Sequence, residues 1–141
     1  MAAPFRFLTP EWLDSVDSTN TLLRDRLPRP PSGTVVAAVS QLRGRGRMGN
    51  SWHSPPGLDL TFSFLWTGET DFATAGAFSL VCGLATADFL ASLGLAPACK
   101  WPNDILVGNG KIAGILCEAA ATPSGSLELA AGIGLNVGKH P

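Results

Sequence analysis

Histidine is almost missing from this chain: among 141 residues there are two, His53 and His140. That leaves nothing from which to build a histidine-based metal cluster, and no Ser-His-Asp or Cys-His arrangement stands in the sequence. Cysteine is scarce as well. Cys82, Cys99 and Cys117 are odd in number, widely spaced and set among apolar neighbours, so neither a disulfide framework nor a zinc site is expected. They read as small core residues in a reducing, cytoplasmic compartment. Charge is thin: Asp, Glu, Lys and Arg make up 15% of the chain and the formal net charge is −1. Such a balance carries no general affinity for nucleic acid or for a membrane surface. The first twenty residues hold Glu11, Asp14 and Asp17 and no apolar run, so no secretory signal is expected. Internal repeats, linkers and low-complexity tracts are also missing.

What is present is apolar. At 45% apolar content the chain has enough material for one domain with a core. Asp17 or Ser18 is placed to cap a helix running through Leu22, Leu23 and Leu27, ended by the prolines at 28, 30 and 31. Thr34 to Ser40 reads as a buried strand. Leu58, Leu60, Phe62, Phe64 and Trp66 alternate along what reads as a half-buried one. The stretch from Phe72 to Ala98 is apolar enough to suggest a membrane span, but it contains Asp88, and a carboxylate at the bilayer centre costs about 2.5–3.5 kcal/mol. Phe72, Ala75, Phe78, Cys82, Thr86, Phe89, Leu90 and Leu93 recur at helical spacing, so one long core helix ending at Gly94 is expected. Leu127 to Val137 is a last strand pattern, punctuated by Gly132 and Gly134.

Between these elements lie the residues that carry chemistry. Lys100, Asn103, Asp104, Lys111 and Glu118 sit among Ile, Leu and Val, where charged and polar groups are scarce unless paired or in use. Ile105 to Val107 reads as a short buried strand, and the Asn109-Gly110 step that follows is a strong hairpin signal. Lys111 then opens the returning strand. A cation on a rigid element beside an apolar wall is well placed to meet an anionic substrate; the bland alternative is an exposed hairpin lysine. With the hairpin included, the pattern predicts an α+β domain: a mixed, largely antiparallel sheet with helices packed on one face.

Arg43, Arg45 and Arg47 fall within five positions on a glycine-rich segment. Gly44, Gly46 and Gly49 match the dinucleotide fingerprint G-x-G-x-x-G literally, but that fingerprint requires a helix directly behind it. Pro55-Pro56-Gly57 forbids one. What remains is a loop whose backbone approaches a ligand closely and whose guanidinium groups suit phosphate or carboxylate. One such charge about 4 Å from an anion is worth on the order of 4 kcal/mol at an effective dielectric near 20. None of the three arginines has an acidic neighbour in sequence, so the loop is expected to be mobile until an anion arrives. Trp52, directly after it, reads equally as a stacking platform for a purine or as a core aromatic.

Taken together, Asp17-Ser18-Thr19-Asn20, Gln41, GRGRMGNSWHSPPG at 44 to 57, KWPNDIL at 100 to 106, KIAGIL at 111 to 116 and the glycine-flanked run from Gly132 to Asn136 closely resemble the catalytic domain of biotin protein ligases, also called biotin–[acetyl-CoA-carboxylase] ligases. The likeness runs in order from about Val16 to Val137. It implies a fold like that of class II aminoacyl-tRNA synthetases and a two-step reaction. Biotin and ATP, with Mg2+, form biotinyl-5′-AMP and pyrophosphate, and the biotinyl group then passes to a lysine of a biotin carboxyl carrier protein domain of acetyl-CoA carboxylase or a related carboxylase.

The resemblance also implies roles. Lys111 and Arg47 would be catalytic. Ser18, Thr19, Asn20, Gln41, Gly44, Arg45, Gly46, Arg47, Lys111, Gly114, Gly132 and Leu135 would surround biotin. Trp52, Lys100, Asn103, Asp104 and Asn136 would face the nucleotide, and no protein-held metal is implied. No nucleic-acid or membrane partner is expected, and a homodimer is possible. Residues 1–141 are expected to be a catalytic domain that stops before the family's usual C-terminal end, with neither an N-terminal DNA-binding domain nor a C-terminal β-barrel domain. Asn50 departs from the basic residue common at its position. Competing readings are a lipoate–protein ligase of the same fold and a non-catalytic biotin- or nucleotide-binding module; Gln41, the GRGRxG loop with Trp52, and KWPND favour biotin.

Overall fold

In chain order the protein forms β1 (Glu11–Val16), α1 (Thr19–Asp25), β2 (Val35–Gln41), β3 (Asp59–Gly68), α2 (Phe72–Gly76), α3 (Phe78–Ser92), β4 (Pro97–Lys100), β5 (Asp104–Val107), β6 (Gly110–Ala121) and β7 (Leu127–Asn136). These elements are seen in a computed structural model that describes residues 4–138, so His140 lies outside the described residues. All seven strands join one sheet in the order β1-β2-β3-β7-β6-β5-β4. β1 and β2 run parallel, joined through α1, and every other pair is antiparallel. The chain therefore has the expected α+β fold with a mixed, largely antiparallel sheet.

The helices divide between the faces, however, instead of sharing one. Leu23 of α1 packs on Val36 and Leu65, while Cys82 and Leu90 of α3 pack on Val35, Phe64, Ile105, Ile115, Ala131 and Leu135. Successive strand residues point to opposite faces, so these two sets mark the two sides of the sheet. β3 is consequently buried on both sides. Its aromatic side, Phe62, Phe64 and Trp66, faces α3 as the alternation predicts, but Thr61, Ser63 and Leu65 on the other side are at most 2% exposed under α1. Leu58 lies before the strand and is exposed.

Local chemistry explains where the helices begin and end. Ser18 caps α1 by accepting the Thr21 N–H, and the helix stops at Asp25, so Leu27 lies beyond it and is exposed. At the helix's C-terminal cap, Arg26 reaches Glu11 of β1 at 2.6 Å; this hydrogen bond holds the Glu11 carboxyl below its usual range and ties β1 to α1. The single long helix expected over 72–94 is two. Asp71 caps α2 through the Thr74 N–H, the path turns at Ala77, and α3 ends where Gly94 takes φ +85. The Phe72–Ser92 stretch is long and apolar enough to cross a membrane by length and composition; here one side of it packs on the sheet and Val81, Leu84 and Phe89 are exposed on the other.

The cysteines are not all interior. Cys82 is buried and Cys117 half-buried, whereas Cys99 is exposed on the edge strand β4. The hydrogen bond to Cys82, helped by burial, pushes the Cys117 thiol above the ordinary thiol range, so it stays protonated as a packing group.

Leu23 is fully buried and joins α1 to the sheet. Leu23→Ala is expected to cost about 2–5 kcal/mol in urea unfolding, as other leucine-to-alanine cavities do. A change under about 0.5 kcal/mol would show that α1 is held by its polar contacts alone.

Candidate functional site

On the α1 side of the sheet a cavity of about 160 Å³ opens between the start of α1, the loop after β2, and strands β3, β6 and β7. Its floor is a chain of uncharged polar side chains. Gln41 Oε1 accepts the Thr19 N–H at 2.9 Å, the Thr19 and Ser63 hydroxyls meet at 2.7 Å, and Ser63 donates to Asn20 Oδ1 at 2.6 Å. Ser63 has one proton to give and it goes to Asn20, while the single Thr19 hydroxyl proton has two acceptors in reach, Ser63 Oγ and Gln41 Oε1 at 3.2 Å. The Asn20 amide nitrogen then reaches β6, donating to the Leu116 carbonyl at 3.0 Å and to Glu118 at 3.1 Å. Thr19, Asn20 and Ser63 are each at most 3% exposed.

Glycines on β7 make room for this arrangement. A Cβ at Gly132 would stand 2.5 Å from Asn20 Oδ1, and one at Gly134 would stand 2.3 Å from Cε2 of the Trp52 ring. The indole therefore lies flat on the sheet over Gly134 and the neighbouring Gly114. It is a wall of the cavity, half-buried, and its Nε1 has no hydrogen-bond partner among the described residues. Lys111 Nζ sits 5.4 Å from the ring centroid, within cation–π range.

Lys111 reaches the cavity because of an irregularity. Strict alternation along β6 would put Lys111 on the same side as Ala113 and Ile115, facing α3. A register shift opposite Ile105 and Leu106 turns it to the side of Gly114, where it lines the cavity. Re-aiming one side chain is what a bulge does. Asp104 holds the ammonium at 2.8 Å. Asn136 donates to the Lys111 carbonyl at 2.9 Å and so fixes this strand from β7.

The arginine loop is folded back on itself. Arg45 and Ser51 form an isolated antiparallel bridge, Gly46 N–H donates to Asn50 O at 2.7 Å, and Trp52 N–H donates to Gly44 O at 2.8 Å. Met48, exposed at the tip, takes the strained φ of 54. The countercharges that the local sequence lacks come from elsewhere: Glu118 lies 2.5 Å from Arg45 and Asp17 4.0 Å from Arg43. The premise for a loop left loose by uncompensated charge is thereby overturned for two of the three arginines. Arg47 is exposed on the rim and makes no ion pair among the described residues.

Ser18, Thr19, Asn20, Gln41, Arg45, Gly46, Arg47, Trp52, Asn103, Asp104, Lys111, Gly114 and Gly132 thus converge on one cavity. Leu135 does not. It pairs with Ala113, faces α3 and lines the apolar groove on the opposite side of the sheet, because odd positions of β7 point away from Gly132 and Gly134. Lys100 ends the edge strand β4 outside the cavity lining, Gly44 shapes the loop from behind, and Asn136 acts through the Lys111 backbone. Thr61, Ser63, Ser51, Gly134 and Asn50 also line the cavity; Asn50, Ser51 and Gly134 stand within the motifs without an assigned role, and Thr61 and Ser63 lie outside every motif. Ser63 sits on the polar side of an aromatic strand, and that is the one signal it carries.

Residues 12–137 match the Biotin/lipoate A/B protein ligase family. The chain is 39% identical over 126 residues to the bifunctional ligase/repressor BirA of Escherichia coli strain K12, which covers 89% of this chain and 39% of that protein. It is 35% identical over 133 residues to the biotin–[acetyl-CoA-carboxylase] ligase of Paracoccus denitrificans, covering 92% of this chain and 55% of that one. Among solved structures, the biotin protein ligase from Aquifex aeolicus in complex with biotin and ATP aligns with a TM-score of 0.75 at 31% identity, over 96% of this chain and 55% of that one. The chain spans about half or less of the length of these relatives.

Gly134→Ala is expected to drive the indole off the sheet, since a rigid ring cannot yield to a Cβ at 2.3 Å. Amide exchange over residues 44–52 should then quicken at least about ten-fold, matching an overpacking cost of about 1–3 kcal/mol, with the far-UV spectrum unchanged. Unaltered exchange would mean that Trp52 does not anchor the loop.

Proposed function

We propose that this chain, which belongs to the Biotin/lipoate A/B protein ligase family, binds biotin in the cavity between α1 and the sheet and activates it with ATP to biotinyl-5′-AMP. The observation that supports this reading most is the division of the cavity into two chemistries. Its floor offers neutral donors and acceptors from Thr19, Asn20, Gln41 and Ser63, and its rim carries Lys111, Arg45 and Arg47. Biotin divides the same way, with an uncharged ureido ring at one end and a carboxylate at the other. A relative of the same family has been solved with biotin and ATP bound.

In the first step a biotin carboxylate oxygen bonds to the α-phosphorus of ATP, the bond from that phosphorus to the bridging oxygen breaks, and pyrophosphate leaves. Two anions must be brought together, so cations fixed at the meeting point stabilise the transition state more than the separated reactants. Lys111 is the cation held on a strand, and Arg45 and Arg47 are carried by the loop. Asp104 pairs with Lys111 before the anions arrive, which keeps the ammonium aimed. Asn103 donates from its side chain to the Ile115 carbonyl at 3.0 Å and holds the KWPND turn against β6 on the nucleotide side. Magnesium enters with the nucleotide, as the counter-ion of its phosphates.

Trp52 and the folded loop screen the acyl-adenylate from water. In the second step a carrier lysine amine attacks the acyl carbon and AMP leaves. The acceptor we assign is the biotin carboxyl carrier domain of a carboxylase, in line with the Paracoccus denitrificans relative, named as a biotin–[acetyl-CoA-carboxylase] ligase. The compartment we assign is the cytoplasm, where ATP is at hand.

The test is pyrophosphate release from ATP with biotin or with lipoate. Release that depends on biotin and not on lipoate is expected. Lys111→Ala should lower it about 10²–10³-fold, the loss seen when a single transition-state donor is removed. The side chain is 42% exposed and contributes little packing, so the fold should survive. Near wild-type adenylation by Lys111→Ala would remove Lys111 from the reaction, and release with lipoate alone would exchange biotin for lipoate.

A further inference from the structure

We infer that Glu118 is a positioning residue that fastens the arginine loop to the sheet and aims Arg45 over the cavity. This rests on the reading of the cavity as a biotin and adenylate site. Glu118 stands on β6, on the α1 side of the sheet, next to the mouth of the cavity but outside its lining. Its carboxylate collects donors from two other parts of the fold. Oε1 accepts from Arg45 of the loop at 2.5 Å and from Asn20 of α1 at 3.1 Å, while Oε2 accepts from Arg24 of α1 at 2.7 Å. The carboxylate is 19% exposed and its partners Arg24 and Arg45 are 39% and 41% exposed, so the bonds are charge-assisted but partly screened by water.

Charge counting shows why a carboxylate belongs beside an anion site. Two guanidinium groups share one carboxylate, so the cluster keeps a net positive charge. Arg45 has five N–H donors and gives one bond to Glu118, which leaves its other edges for a ligand anion. If Arg45 turns wholly to the ligand, Glu118 keeps Arg24 and Asn20, so no buried charge is stranded. Glu118 also fixes the rotamer of Asn20. With its amide nitrogen held by Glu118 and the Leu116 carbonyl, Asn20 must present Oδ1 to Ser63, which is the polarity the cavity floor requires.

A double-mutant cycle on the full chain tests this, using Glu118→Ala, Arg45→Ala and the pair. The readouts are amide exchange of residues 44–52 without ligand and calorimetric affinity for biotin. Glu118→Ala should speed loop exchange about ten- to hundred-fold, the worth of a lost charge-assisted bond, and weaken biotin at least about ten-fold. In the Arg45→Ala background it should add little to loop exchange. Glu118→Gln, which keeps the size and the acceptor for Asn20, should loosen the loop similarly. Arg24→Ala, which leaves the Arg45 bond in place, should not. Wild-type loop exchange in Glu118→Ala, a full-sized effect that persists in Arg45→Ala, or a loosened loop with unchanged biotin affinity would each overturn the assignment. Absence of biotin binding by the wild type would instead refute the functional reading, and the exchange arm would still decide whether Glu118 fastens the loop.

Discussion

The Ser63 hydroxyl, fully buried in the middle of the sheet, is the constraint around which the functional face is arranged. A buried hydroxyl without partners costs about 1–3 kcal/mol, so β3 needs two polar groups directly above Ser63. Thr19 and Asn20 meet that need, and they do so only because Ser18 starts α1 at that point. Asn20 in turn needs acceptors for its amide, which it finds on β6, and space for its oxygen, which it finds over Gly132. One buried polar group thereby fixes where a helix begins, which side chains it turns inward, and why a neighbouring strand carries glycine. Once closed, such a network resists rearrangement, because each member lost strands the next.

The sheet separates two kinds of surface. Toward α3 it offers Val35, Phe64, Ile115 and Leu135, which hold the domain together by burial. Toward α1 it offers Ser63, Gly114, Gly132 and Gly134, which hold little by themselves and leave room for Trp52 and a ligand. Stability and recognition are thus assigned to opposite faces of the same strands. The bulge at the start of β6 is where that division is broken, since it moves Lys111 from one face to the other while Ile115 stays in the core.

Much of this organisation is legible in the amino-acid sequence. Alternation in β3 marks its aromatic face, the Asn109-Gly110 step marks the β5–β6 hairpin, and the prolines after Leu27 mark the end of α1 to within a few residues. What is not legible has physical reasons. β1 and β4 are the edge strands, mostly exposed, so no apolar alternation betrays them. The break at Ala77 follows Gly76, but a lone glycine is tolerated inside a helical pattern and the apolar spacing runs straight through it. Leu135 shares a motif with residues that line the site, although a period of two places it on the far side from Gly134. The partnership of Arg45 with Glu118 spans 73 positions and has no local signature at all. Sequence motifs mark which residues gather at the site; the pairings among them belong to the fold.

The most direct test is a crystal structure of this chain grown with saturating biotin. The bicyclic ring should lie over Thr19, Asn20 and Ser63, with the carboxylate directed to the rim beside Lys111 and Trp52 still lying on Gly134. Biotin bound in the apolar groove on the α3 side, or an empty α1-side cavity at saturating biotin, would contradict the claim that the buried polar chain exists to receive it.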